Sequence, residues 1–400
     1  MVKTWWFALL LVGAAFAAER RVIVPPVGPP PVGPYSPGIL VGDYLYVSGQ
    51  GVRTPDGKQP EGVEAQARQC LENVKAIVEA AGLTMEHVVY AHLYLERMSD
   101  LGTVDRVWRA YFPKDPPARA VVGVKRMPTD TPIEITVVAV RNLANKKVVE
   151  LAGGEGRGVL THDRFYLAAV NGVDPATGRA PADPAEEVRR ALERAGKVLK
   201  AAGLTHAHLV FTNPYLSTAM PMETMNKVYA GYFEFGNTPA RATIRMNELP
   251  AGSNFELTGV AVRDLAQRRA VRPKNMAPSP TASPCVFAGD TLYCSAKSGF
   301  IPGPNSGIWA PDIELQVRQS MRNLLDGLEE AGLDFSHVVA ANVYVDDLNE
   351  FPKMNKVYGS FFRGAPPTRT TVQPLAPVDR KPDEQGRWPM LEQISLIAVK

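Results

Sequence analysis

Pro117-Ala118-Arg119, Pro239-Ala240-Arg241 and Pro367-Thr368-Arg369 are one phrase written three times, and their spacing decides the fold. The arginines lie 122 and 128 residues apart. That exceeds the roughly 20–50 residues of a solenoid unit and suits a small domain. Each phrase follows an amphipathic helix that closes on an aromatic pair: Tyr111-Phe112, Tyr232-Phe233 and Phe361-Phe362. An arginine kept at one fold position in three copies predicts three related anion-binding pockets in one molecule.

The copies agree well beyond the arginines. Ala81-Gly82-Leu83, Ala202-Gly203-Leu204 and Ala331-Gly332-Leu333 each close a helix whose apolar positions keep a 3.6-residue period. In the first copy these are Leu71, Val74, Ile77, Val78 and Ala81. Each Gly is a C-cap signal, because only Gly enters the left-handed region without a Cβ penalty. A β-rich run opening at His87, His208 or His337 comes next, then a second helix, the arginine, and a closing strand such as Ile133-Glu134-Ile135, Phe255-Glu256-Leu257 or Ile394-Ser395-Leu396. With a hairpin at its start, each unit reads β-β-α-β-α-β-β, an α+β sandwich with both helices on one face of a sheet.

The N-terminus is of another kind. Lys3 leads an apolar run from Trp5 to Ala18, with Ala15-Phe16-Ala17 as a small-residue cleavage site. The run is too short to span a bilayer comfortably, so a signal peptide over 1–18 and a secreted or periplasmic protein are expected, a retained anchor being the alternative. Residues 19–34 read as a Pro-rich spacer, stiff and extended over Val24–Pro34. The repeats then occupy 35–143, 150–266 and 276–400, joined by polar, basic stretches at Asn142–Val149 and Gln267–Asn275.

A net charge of +3 with signs interspersed leaves no electrostatic footprint for nucleic acid. The three cysteines form no CxxC pair and the six histidines no HxxxH or HExxH spacing, so neither a metal nor another cofactor is expected. The recurring His87, His208 and His337 read as polar residues opening a strand, since no carboxylates recur beside them.

The first copy holds Gly33-Pro34-Tyr35-Ser36, then Gly42 through Gln50 with Ser48-Gly49, then Gln66, Gln69 and Asn73, Pro117-Ala118-Arg119, and Ile133-Glu134-Ile135. This set resembles the Rid family, the reactive-intermediate imine deaminases also called YjgF-like or endoribonuclease L-PSP proteins, and it does so in three passes along the chain. The resemblance implies chorismate-mutase-like units that assemble as trimers, sheets inside and helices outside, with pockets at the clefts. Three fused copies would then form an intramolecular pseudo-trimer, a monomer that needs no partner chain. It also implies a deaminase acting on small 2-imino or enamine acids, giving 2-keto acids and ammonia.

The copies have diverged. The second has Gly153-Gly154-Glu155-Gly156 and the third Pro280-Thr281-Ala282-Ser283 where the first has Gly33–Ser36. Ser48-Gly49 becomes Ala168-Ala169 and Ser295-Ala296. The Asn of the second helix is Asn226 and Asn355 but Asp105 in the first copy, and the closing-strand Glu134 and Glu256 align with Gln393, Glu392 lying on the opposite strand face.

A guanidinium takes a carboxylate bidentately, so Arg119 is expected to clamp the ligand, with Tyr35 beside it and Glu134 orienting the attacking water. Arg241 with Glu256 would serve a second cleft, and Ser36, Ser48, Gly49, Asn226, Asn355 and Arg369 would line binding surfaces. The plainer reading of Arg119 is an ion pair within its repeat, for instance with Glu134. The other function class is a non-catalytic binder of small carboxylates, a pseudoenzyme that kept its arginines and lost the rest.

Cys285 to Cys294 reads as a hairpin about a primed Gly289-Asp290 turn. Counting outward pairs Cys285 with Cys294 at a non-hydrogen-bonded site, where Cα atoms approach to about 4.5 Å. A disulfide and two unbonded small residues both fit that position, with Cys70 left as a buried thiol.

Overall fold

Each long helix stops in the same way. In a computed structural model, which describes residues 19–303 and 307–400, Gly82, Gly203 and Gly332 take φ of 79°, 77° and 77°. The following Leu83, Leu204 and Leu333 donate back to the carbonyls of Val78, Leu199 and Leu328 at 3.1, 2.8 and 2.8 Å. This is the doubly bonded glycine stop, and it turns the chain from each helix into a buried strand. The imidazoles of His87, His208 and His337 cap the intervening turns through Nδ1, accepting from the backbone N–H of Thr84, Thr205 and Asp334. The segment expected to be a signal peptide, residues 1–18, lies outside the described residues.

The first unit runs β1 (Arg20–Ile23), β2 (Gly38–Val41), β3 (Tyr44–Gln50), α1 (Val63–Ala80), β4 (Val88–Leu95), α2 (Leu101–Tyr111), β5 (Ala118–Gly123) and β6 (Ile133–Val140). The second runs β7 (Lys147–Glu150), β8 (Arg157–Leu160), β9 (Arg164–Asn171), α3 (Pro184–Ala201), β10 (Leu209–Leu216), α4 (Met222–Ala230), β11 (Ala240–Arg241), β12 (Ile244–Arg245) and β13 (Phe255–Val262). The third runs β14 (Arg268–Val271), β15 (Cys285–Ala288), β16 (Thr291–Lys297), α5 (Ile313–Glu330), β17 (Val338–Val345), α6 (Phe351–Gly359), β18 (Thr368–Val372) and β19 (Glu392–Val399). The first sheet is ordered β1-β2-β3-β6-β4-β5, and the third repeats that order. β5 and its counterparts lie parallel to their neighbours, carrying each arginine on an edge strand.

Each unit therefore starts one strand earlier than its sequence pattern suggested. β1 falls in the Pro-rich spacer, and β7 and β14 fall in the two polar joints. Each buries a single apolar residue (Ile23, Val149 or Val271), so an edge strand looks like a polar linker.

The apolar stripe of each long helix closes its own core: Leu71, Val74 and Val78 under α1, Leu192, Val198 and Leu199 under α3, Met321, Leu324 and Leu328 under α5. The opposite sheet faces meet one another. Tyr46, Tyr166 and Tyr293, from equivalent positions, join Val89, Val210 and Val339 in one shared cluster, and Tyr94, Tyr215 and Tyr344 lie in another. Arg164 is walled into the first of these, over the Tyr44 ring at 4.1 Å and donating to Thr291 Oγ1 at 2.5 Å and the Tyr293 hydroxyl at 3.2 Å. The three units thus form one intramolecular pseudo-trimer, sheets inside and helices outside.

Cys285 pairs with Cys294 in the β15–β16 hairpin, as counted from its turn, and the two sulfurs are bonded. Gly289 alone has positive φ in the turn, the type II′ arrangement. Cys70 is buried, and its thiol donates to the Gln50 carbonyl at 2.8 Å. Unfolded without reductant, the chain should titrate one free thiol; three would reject the bridge.

Candidate active site

The edge strand of each unit lies against the inner hairpin of the next: β5 on β9, β11 on β16, and β18 on β3. Each cleft consequently takes its arginine from one unit and its inner-hairpin residues from another. Arg119 does not meet Tyr35 or Glu134. Arg369 does.

The β18–β3 junction is knitted by serines. Ser48 Oγ accepts from the Arg369 backbone N–H at 2.8 Å and donates to the Ser36 carbonyl at 2.7 Å, while Ser36 bonds the carbonyls of Pro366 and Pro367 through its hydroxyl and N–H. Ser36 and Ser48, expected to line the ligand, hold the arginine strand from behind instead. The Arg369 guanidinium is fixed by three rings, Tyr35, Phe351 and Tyr358, at 5.6, 5.4 and 5.0 Å. Arg369 is only 4% exposed and forms no ion pair among the described residues; its Nη1 and the nearby Asn355 Oδ1 are buried without hydrogen-bond partners. Gly33 makes room for it, since a Cβ there would come within 2.6 Å of Arg369 Nη2.

Glu134 is 6% exposed, and burial pushes its carboxyl up to about 8, with Arg369 pulling the other way. Gly49 is required beside it: a Cβ would overlap Glu134 Oε1. The Tyr35 hydroxyl accepts from the Val32 N–H at 3.2 Å, and burial raises its pKa. These groups line a cavity of about 220 Å³, together with Gln50, Thr131 and Thr371. The Pro-rich run is no mere spacer, because Pro29–Val32 forms one wall, and Arg53 donates to the Pro30 carbonyl at 2.9 Å. A buried guanidinium without a counter-ion, in one cavity with a carboxyl that burial pushes up to about 8, suits a small carboxylate and a proton transfer beside it.

The second cleft holds Arg119 with Glu256. Arg119 Nη1 lies 2.8 Å from Asp105 Oδ1, so the ion pair within the repeat exists, but with Asp105 and not Glu134. Glu256 is buried and its carboxyl is likewise pushed up to about 8, Arg119 opposing. Glu155 stands in the place of Tyr35 and Ala169 in that of Gly49, and the cavity is wider, about 640 Å³.

In the third cleft Arg241 repeats the serine knitting, its N–H donating to Ser295 Oγ at 2.8 Å and Ser295 donating to the Ser283 carbonyl at 2.6 Å. Its Nη1 donates to Asn226 Oδ1 at 2.8 Å. Arg241 and Glu256, expected together, lie in different clefts. Gln393 stands opposite Tyr344 as Glu134 stands opposite Tyr94 and Glu256 opposite Tyr215. Glu392 faces α5, accepting from the Gly299 N–H at 3.0 Å and from the Ser320 hydroxyl.

The sequence pattern placed Arg119 and Arg241 with glutamates of their own copies, because repeats suggest self-contained sites. The signal that would have corrected it was the resemblance itself, which places pockets between subunits.

A family model described as "Endoribonuclease L-PSP" matches residues 27–141, 156–263 and 274–377. Among curated proteins, a 2-iminobutanoate/2-iminopropanoate deaminase of Escherichia coli is 43% identical over 117 residues, 28% of this chain and 91% of its own. A RutC family protein of Saccharolobus solfataricus is 43% identical over 122 residues, 30% of this chain and 97% of its own. Among solved structures, Escherichia coli TdcF with bound serine is similar at 35% identity and a TM-score of 0.30, covering 30% of this chain and 99% of that one.

Proposed function

This chain belongs, in each of its three units, to the endoribonuclease L-PSP family, and from that premise we propose that it is an exported hydrolase of small 2-imino acids, working at the cleft between the first and third units. The observation that carries the reading is the meeting of Arg369, without a counter-ion, with Tyr35 and Glu134 in one small cavity. The likeness to a 2-iminobutanoate/2-iminopropanoate deaminase supports the substrate class.

Arg369 takes the substrate carboxylate, and the imine carbon then lies toward Glu134. Water adds to that carbon, Glu134 accepting one of its protons and passing it to nitrogen to give a carbinolamine. The carbinolamine hydroxyl then yields its proton, which the same carboxyl carries to nitrogen as the C=O bond forms and the C–N bond breaks, releasing ammonia and a 2-keto acid. A carboxyl titrating near 8 populates both forms at neutral pH, as both halves of that exchange require. Imines already hydrolyse in water, so positioning and exclusion of bulk solvent carry most of the acceleration.

The binder reading keeps support at the other two clefts. Asp105 already neutralises Arg119, and the third cleft has Gln393 where the first has Glu134. Export, which the segment Trp5–Ala18 suggests, and function as a monomer complete the proposal. The test is ammonia release from freshly generated 2-iminopropanoate by the purified mature chain, above the rate in buffer, from a species whose light scattering gives one chain mass. No acceleration would overturn the deaminase; a trimer of chains would overturn the monomer.

A further inference from the structure

The third cleft has acquired a residue that imine hydrolysis leaves unused. At the position where the first cleft has Gln50 it has Lys297, the two paired alike one residue beyond the closing-strand position, with Ile135 and with Ile394. Gln50 turns its amide back onto the carbonyls of Ser48 and Gly49. Lys297 instead lines a cavity of about 470 Å³ together with Arg241 and Gln393.

Two substitutions act together here. A glutamate opposite Tyr344 would put a negative charge on the wall that Lys297 shares, favouring the ammonium, whereas Gln393 is neutral. The cavity has two basic side chains on its wall and no acidic one. Among the described residues Lys297 makes no ion pair or hydrogen bond; Asp326 acts on it only from beyond contact distance, and burial draws its pKa below the ordinary lysine value. Arg241 is positioned by Asn226 and Ser295, both neutral, so its charge is not cancelled as that of Arg119 is by Asp105.

We propose that this cleft captures small 2-oxo acids covalently, Arg241 binding the carboxylate and the Lys297 amine adding to the neighbouring ketone to form a Schiff base. The amine lone pair attacks the keto carbon and the C=O π pair moves to oxygen, giving a carbinolamine. The two hydrogens of the amine leave with that oxygen as water, the C=N bond forms, and no oxidant or reductant takes part. Addition of water reverses the step. The requirements are a carboxylate anchor and, in the same cavity, a lysine amine that burial makes easier to deprotonate; Arg241 and Lys297 supply these two side chains. The site uses other residues than imine hydrolysis and does not depend on it, although a 2-oxo acid is also what the first cleft would release.

Reductive trapping tests it. The full chain is incubated with pyruvate, treated with borohydride, and its mass and peptide map are recorded. One 1-carboxyethyl group per chain, saturable and located on Lys297, is expected. Acetone, which lacks the carboxylate, should label about tenfold less, and Arg241→Ala should demand about tenfold more pyruvate. Lys297→Met should abolish the adduct, and the peptide map of the unaltered chain decides the matter should that variant fold poorly. Arg369→Ala should label normally, which separates this result from any failure of the deaminase assay. Labelling scattered over surface lysines without saturation, or pyruvate binding without an adduct, would overturn the proposal.

Discussion

Arg369→Ala should lower kcat/KM toward 2-iminopropanoate by about 100-fold or more, while Arg119→Ala should leave it within a factor of about two. The first figure corresponds to roughly 3 kcal/mol, the scale of a charge-assisted, bidentate bond lost from a desolvated site. The asymmetry follows from geometry: Arg369 shares its cavity with Tyr35 and Glu134, and Arg119 lines another with Asp105, its ion-pair partner. Stability should not fall with activity. Arg369 is buried without a counter-ion, so its removal takes away an uncompensated charge, and the melting temperature should hold or rise. Steady-state kinetics and thermal melts of the two variants settle the point; loss of activity in Arg119→Ala with Arg369→Ala intact would return the site to a single unit.

The chain should also lose stability as the solution becomes mildly alkaline. Burial pushes the carboxyls of Glu134, Glu256 and Glu392 up to about 8 from an ordinary 4.5. Between those values the folded chain holds protons that the unfolded chain has released, so unfolding becomes easier as pH rises, and above about 8 the contribution is spent. His92 acts in the opposite sense: burial holds it neutral, its pKa drawn down to about 3 from 6.5, and it costs stability as pH falls below 6.5. The carboxyl effect is therefore read between pH 6.5 and 8, where denaturant titrations should show a decline on the order of several kcal/mol. Glu392→Gln lies outside the three clefts and should flatten the slope by its share without changing deamination. A slope unaltered by all three Gln variants would contradict the assignment.

The long helices, their glycine stops and the triplication were legible because each is written in local spacing: a 3.6-residue stripe, a Gly after it, an arginine after an aromatic pair. The first strand of each unit was not, since Arg20–Ile23, Lys147–Glu150 and Arg268–Val271 each bury one side chain and spend the rest on solvent. The third-unit register was recovered from sequence, with Gln393 and not Glu392 in the pocket row. The partnership of Arg369 with Tyr35 was missed because it depends on how sheets stack, and no local pattern encodes which edge meets which hairpin. Asp105 was visible as a departure from Asn, but its capture of Arg119 depends on how the second helix packs beside the edge strand, which no local pattern spells out.

The cleft richest in these groups joins parts of the chain that leave the ribosome farthest apart in time. Ser48 meets Arg369 across 321 residues and Ser36 meets Pro366 across 330. Contacts so distant in sequence close late, after the first two units have had the time of a whole domain's synthesis to settle. A nascent chain that has passed Glu134 but not Arg369 carries Tyr35 and Glu134 against an unfilled hairpin face, with the guanidinium of that cleft not yet made. A homotrimer gains its pockets by collision between finished subunits; here the equivalent event is the arrival of the last unit, so the pocket comes into being once per chain and only when translation has run past its third arginine.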